Sequence, residues 1–325
     1  MLNARIKGIA SYVPDYILDN EELARMVDTT DEWITQRVGI KERHILKADA
    51  GSSFLGIQAV NKLMEQTGTK PEEIDLLICP TSNPDYRFPS TASVIIEGCG
   101  LPCPGYDIQA ACAGFLMGSY AANAYIKSGI YKKVIVVCAE KMSSMTDYQD
   151  RATCPLFGDA AGAALYEATD DTSVGIIDGI FHVDGSGLSH LVYKAGGSAK
   201  PATVETVEAR EHYVYQEGRA VYRHAVIDMY TAARDIMERN NLTADNIQWF
   251  IPHQANLRII EAVGQRLNIP DEKVLVNIQR FGNTSAASIP LCLDDFKEQF
   301  KKGDKLIFSA FGAGFTWGSM YLIWG

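Results

Sequence analysis

Nothing in this chain is apolar for long enough to span a bilayer, and its first residues lack the hydrophobic core of a secretory signal. We therefore expect a cytoplasmic protein with no membrane partner. Positive charge is scarce: 30 Lys and Arg stand against 40 Asp and Glu, a formal net charge of −10. That balance disfavours nucleic acid as a partner, because phosphate binding needs clustered cations. No low-complexity tract or long linker divides the chain. The 7 cysteines (79, 99, 103, 112, 138, 154 and 292) are odd in number, which argues for reduced thiols. Cys99 and Cys103 are spaced as in some metal sites, but no second pair or histidine lies near them in sequence, so no metal is expected. What remains is a globular composition, 47% hydrophobic and 22% charged, whose 325 residues suffice for one large or two ordinary domains.

One of those cysteines stands apart. Cys112 lies between a short apolar strand, 106–109, and a helical run that reaches Ser128. A thiol at a helix N-terminus faces unpaired N–H groups and the positive end of the dipole, which favour a thiolate. The small neighbours Ala111, Ala113 and Gly114 leave a substrate room to approach. Two other segments hold what such a nucleophile lacks: His253 in Ile-Pro-His-Gln-Ala-Asn and Asn283 in Gly-Asn-Thr-Ser-Ala-Ala-Ser. Alone, His253 could be a packed core histidine and Asn283 a turn residue.

The chain also repeats itself. Residues 62–83 align without a gap on 235–256, matching Met64 with Met237, Ile74 with Ile247 and Asn83 with Asn256. Each copy reads as a helix end, a polar connection and a buried strand, 173 residues apart. Cys112 precedes a helix leading to a strand at 133–139, and Asn283 precedes a helix (285–300) leading to a strand at 305–311, 171 residues later. The expectation is a duplicated α/β unit with halves at 1–172 and 173–325, and with active residues at strand ends where the halves meet. Asn20 and Thr30 are expected to cap short helices running to Met26 and Val38, and helices are expected at 52–67 and 218–240. Residues 185–211 read as loop.

Six motifs carry a resemblance over essentially the whole length: Asp31-Glu-Trp-Ile-Thr-Gln-Arg-Val-Gly-Ile-Lys-Glu-Arg-His, Ala110-Ala-Cys-Ala-Gly-Phe, Phe157-Gly-Asp-Ala-Ala-Gly-Ala, Pro252-His-Gln-Ala-Asn-Leu-Arg, Gly282-Asn-Thr-Ser-Ala-Ala-Ser and Phe311-Gly-Ala-Gly-Phe-Thr-Trp-Gly. The chain resembles the thiolase superfamily and, within it, the β-ketoacyl-acyl-carrier-protein synthase III enzymes. The resemblance implies a thiolase-like fold of α-β-α-β-α layers. It implies decarboxylative condensation of a short acyl-CoA with malonyl-acyl-carrier protein, opening fatty acid synthesis without a cofactor. A condensing enzyme of secondary metabolism would use the same residues. A non-catalytic ketosynthase-like partner would usually lack the cysteine.

The resemblance further assigns Cys112, His253 and Asn283 to catalysis, and the backbone N–H groups of Cys112 and Ala313 to the oxyanion hole. Many relatives carry glycine where Ala313 stands. Thr29, Trp33, Arg37 and Arg151 would hold CoA, a role suited to an indole and guanidinium groups around a base and phosphate. Arg223, Arg258 and Arg266 would dock the acidic carrier protein. Phe88 would reach across a homodimer interface to gate the partner's acyl pocket, which leaves primer choice open because the alignment is one residue short there.

Overall fold

The computed structural model describes residues 2–325 and contains two mixed sheets. The first orders its strands Asn3–Tyr12, Asp159–Thr169, Lys133–Lys141, Leu76–Pro80 and Gly105–Ile108. The second runs Gly175–Val183, Thr316–Ile323, Lys305–Gly312 and Trp249–Pro252. Both read antiparallel, antiparallel, parallel from the first strand named, and the first sheet adds one more parallel strand. The pairs aligned in sequence, Leu76–Pro80 with Trp249–Pro252 and Lys133–Lys141 with Lys305–Gly312, occupy equivalent places in the two sheets.

Alternation along these strands builds the layers. Ile78, Val134, Val136 and Cys138 of the first sheet and Ile251, Leu306, Phe308 and Ala310 of the second face one shared core. That core is filled by Phe115, Leu116, Ala122 and Ile126 of the helix Gly114–Lys127 and by Ile289, Leu291 and Leu293 of the helix Ser288–Phe296. The residues between, such as Leu77, Cys79, Ile135 and Val137, face the opposite way, onto Leu55, Ala59 and Leu63 of the helix Ser52–Thr67. On the far side Phe250, Ile307 and Phe311 meet Met229, Ala233 and Ile236 of the helix Gly218–Arg239. Period-two strands buried on both faces thus stack as the five expected layers.

Thr30 caps the helix Asp31–Val38 by accepting from Trp33 N–H, and Gly39 ends it in the left-handed region, as expected. Asn20 does not cap its helix. Asp19 does, and the helix Asn20–Ala24 stops short of Met26. Asn20 is instead buried, where its amide donates to Ile40 and Asp31 and accepts from the Arg43 guanidinium. A buried arginine outbids a cap for that side chain because its N–H groups have no water to turn to. The stretch 185–211 is also more ordered than a loop. It holds the strand Leu191–Tyr193, paired with Val214–Gln216, and a helix, Val204–Glu208, capped by Thr203. The segment after Asn283 is broken into a 3-10 turn, Ser285–Ala287, the helix Ser288–Phe296 and a second turn, Lys297–Gln299.

Candidate active site

Cys112 sits in a 3-10 turn, Ala111–Ala113, that leads into the helix Gly114–Lys127. The end of the strand Lys305–Gly312 presses on this turn. A Cβ at Gly312 would meet the Cys112 backbone nitrogen at 2.6 Å, so only glycine lets that strand end approach the nucleophile. Enclosure pushes the Cys112 thiol up to about 12, with the nearby Glu140 charge adding to the shift and the Ser285 hydroxyl opposing it. Loss of solvent thus opposes the thiolate that the helix terminus favours.

Asn283 is held by backbone pairing with the segment around Phe157. Its N–H donates to Leu156 O at 2.8 Å, and Gly158 N–H donates to its carbonyl at 3.1 Å. The side-chain Oδ1 accepts from Ser285 N–H at 2.9 Å, which leaves the amide nitrogen to donate elsewhere. His253 follows the strand Trp249–Pro252 and is buried. Its backbone N–H donates to Ser309 O at 2.8 Å. Burial drives its imidazole down to about 3, so it is neutral at physiological pH. Nδ1 lies 2.6 Å from Ser288 Oγ, which also accepts from Gln254 N–H at 3.3 Å. When the Ser288 hydroxyl donates to Nδ1, the ring carries its proton on Nε2.

Cys112, His253 and Asn283 line one cavity of about 910 Å³, together with Ser285, Gly312 and Ala313. The sequence had them on three separate loops, and the meeting of the two sheets brings them together. None of His44, His182, His190, His212 or His224 lines it. The cavity extends outward to Trp33, Arg37 and Arg258. Arg151 stacks on the Trp33 indole with its guanidinium carbon 4.7 Å from the ring centroid, and Arg37 lies at 5.6 Å. The hydroxyl of Thr29, four residues before Trp33, is buried with no hydrogen-bond partner among the described residues. Arg223 and Arg266 are exposed but do not line the cavity, whereas Arg258 does. Phe88 is 87% exposed and is absent from the chain's own cavity.

Several participants escaped sequence reading. Ser288 and Ser285 lie within a motif quoted for Asn283, but nothing in their spacing says which side chain each would touch. Arg219 lines the cavity beside Arg258, one turn before Arg223 on the same helix. Among the described residues, none of Arg37, Arg219, Arg223, Arg258 and Arg266 pairs with a carboxylate. Glu140, at the end of an apolar strand, is fully buried, which no local pattern announces.

Comparison with known proteins bears on the same residues. Residues 106–185 match the family described as 3-oxoacyl-[acyl-carrier-protein (ACP)] synthase III, and 237–324 match its C-terminal counterpart. A β-ketoacyl-[acyl-carrier-protein] synthase III of Phocaeicola vulgatus is 54% identical over 326 residues, covering 100% of this chain and 97% of the relative. One from Bacteroides thetaiotaomicron is 53% identical with the same coverage. The crystal structure of the Aquifex aeolicus 3-oxoacyl-[acyl-carrier-protein] synthase III superposes with a TM-score of 0.89 at 39% identity, covering 99% of this chain and 100% of that one. The cysteine, histidine and asparagine gathered at the meeting of two duplicated sheets thus lie in a chain that belongs to the β-ketoacyl-[acyl-carrier-protein] synthase III family.

Proposed function

We propose that this protein condenses an acyl-CoA primer with malonyl-acyl-carrier protein, releasing CO2 and CoA, to start fatty acid synthesis. The observation that carries the reading is the convergence of Cys112, neutral His253 and the free amide of Asn283 on one cavity whose mouth is rimmed by arginine.

The Cys112 sulfur attacks the primer thioester, and the CoA sulfur leaves with a proton. The Cys112 and Ala313 N–H groups receive the developing oxyanion. Malonyl-carrier protein then enters, and its C–CO2 bond breaks. The electron pair moves onto the thioester oxygen as an enolate, where His253 Nε2–H and the Asn283 amide donate to it. Two neutral donors fixed before the reaction stabilise charge only as it appears. The enolate carbon attacks the acyl-cysteine, and Cys112 departs as thiolate.

Trp33 and Arg151 suit the two faces of an adenine, with Arg37 and Thr29 beside it. The Arg37, Arg219 and Arg258 side chains form an unpaired basic rim on an acidic protein, with exposed Arg223 and Arg266 outside it, which fits an acidic partner at the mouth. Exposed Phe88 suits insertion into a second copy, so the working form is a homodimer.

The test is intact mass. Wild type incubated with acetyl-CoA should gain one acyl group, and Cys112→Ser should gain none. Equal labelling of both would sink the reading. A priming β-ketosynthase of the R1128 polyketide pathway is 33% identical with a TM-score of 0.91. Competition between malonyl-loaded fatty-acid and polyketide carrier proteins separates that alternative.

A further inference from the structure

Arg43 takes no part in the steps above, yet it stands behind one of the groups that perform them. Its side chain has no exposed surface. Among the described residues no carboxylate lies within ion-pair distance of it. Nη1 donates to Leu18 O at 3.0 Å and to Asn20 Oδ1 at 2.9 Å, and Nη2 donates to Pro155 O at 2.7 Å. The Asn20 amide is itself fixed, because its nitrogen donates to Asp31 Oδ1 and to Ile40 O at 2.8 Å each. Nε finds no partner among the described residues.

The carbonyl that Arg43 grips opens the segment on which Asn283 hangs. Pro155 precedes Leu156, whose carbonyl accepts from Asn283 N–H at 2.8 Å, and Gly158 N–H donates to Asn283 O at 3.1 Å. Phe157 and Asn283 thus pair as a short parallel bridge. The Arg43 stem lies against both sides of that bridge. A Cβ on Gly158 would stand 3.1 Å from Arg43 Cβ and 2.3 Å from Phe281 O, and one on Gly282 would stand 3.4 Å from Arg43 Cβ and 2.8 Å from Leu156 O. Leu156, Phe157 and Asn283 line the cavity, whereas Arg43 does not.

A guanidinium stripped of water, without a counter-ion and with one donor unmet is costly, and a fold that needed only bulk here would be better served by an apolar side chain. What Arg43 supplies is a rigid planar fork that holds three acceptors at once, which the single ammonium of a lysine cannot reproduce. We propose that Arg43 is a positioning residue for the condensation: by fixing residues 155–158 it sets the Asn283 amide in place for the enolate oxygen. It touches no substrate and acts through the Leu156 and Gly158 bonds to Asn283.

The inference rests on the enolate role given above to Asn283, and the experiment separates the two. Wild type, Arg43→Lys, Asn283→Ala and the double variant are compared in CO2 release from malonyl-pantetheine and in single-turnover acylation of Cys112 by acetyl-CoA, read by intact mass. For Arg43→Lys, kcat for CO2 release should fall by about 10²-fold, the scale of a misplacement of about 1 Å. KM for malonyl-pantetheine should change little, because the lost interaction belongs to the transition state. Acylation should stay close to the wild-type rate, because the Cys112 turn is seated against Gly312. In the Asn283→Ala background the same substitution should slow CO2 release no further, since the group it positions is gone. A merely structural role would slow both reactions alike or add its loss to that of Asn283→Ala. Either result overturns the proposal, as does an unchanged rate in Arg43→Lys. Should Arg43→Lys not fold, Asn20→Ser, which unseats the guanidinium without removing it, carries the same cycle. If wild type is neither acylated nor releases CO2, the functional reading fails and the inference with it.

Discussion

His253 and Glu140 are buried ionisable groups that burial shifts in opposite directions. The folded imidazole titrates at about 3, below its ordinary 6.5, so below pH 6.5 the unfolded chain binds a proton the folded chain refuses. Its contribution to stability is present above pH 6.5 and lost as pH falls toward 3, at about 1.4 kcal/mol per pH unit. Glu140 titrates at about 7 in the fold against 4.5 ordinarily, so its contribution is present below pH 4.5 and lost as pH rises through 7. Thermal melts should show His253→Gln losing less stability than wild type between pH 6.5 and 4.5. A variant as acid-sensitive as its parent would show that His253 is not the group responsible. In catalysis, His253→Ala and Asn283→Ala should lower malonyl decarboxylation by about 10²–10³-fold each, the cost of one oxyanion donor. Acyl-Cys112 formation, followed by mass spectrometry, should change far less. A variant that released CO2 at the normal rate would remove that residue from the enolate site.

Among the elements, the helix Asp31–Val38 has its start fixed by one hydroxyl. Thr30 Oγ1 accepts from Trp33 N–H at 3.1 Å, and Trp33 is the ring on which Arg151 stacks. Thr30→Ala should cost about 1 kcal/mol of stability, read by denaturant unfolding. It should also raise KM for the acyl-CoA primer while leaving KM for malonyl-carrier protein unchanged. Equal rises in both would mean that the helix does not serve CoA in particular. This helix was legible because its cap, its acidic first turn and its terminal Gly39 are local signals. The neighbouring helix at Asn20 was misread because a distant residue, Arg43, claims the side chain a cap would have used. The break after Ala287 was missed for a similar reason. The 3-10 turn there packs against the Cys112 turn and the end of the strand Lys133–Lys141, which lie far away in sequence.

For the molecule as a whole, an acidic chain must attract an acidic partner to one place. Arg258→Glu should raise KM for malonyl-carrier protein and leave use of malonyl-pantetheine, which has no protein surface, nearly unchanged. Added salt should act in the same direction, because the Debye length falls from about 10 Å at 0.1 M to about 3 Å at 1 M. Steady-state kinetics with both substrates checks this, and equal effects on both would place Arg258 in the pocket or the fold instead of at docking. Arg219→Glu should behave alike, although only its position at the cavity mouth reveals it.

The amino-acid sequence by itself determined the duplicated α/β architecture and pointed to Cys112, His253 and Asn283. Short apolar strands, a repeat at nearly constant offset and small residues around a thiol are written along the chain. Tertiary structure alone decided the protonation of the site. The pairings Ser288 with His253, Ser285 with Cys112 and Glu140 with Ser82 and Ala286 span 35 to 173 residues. A residue's pKa depends on the solvent it loses and the partners it gains, and both are set only once the two sheets have closed around it.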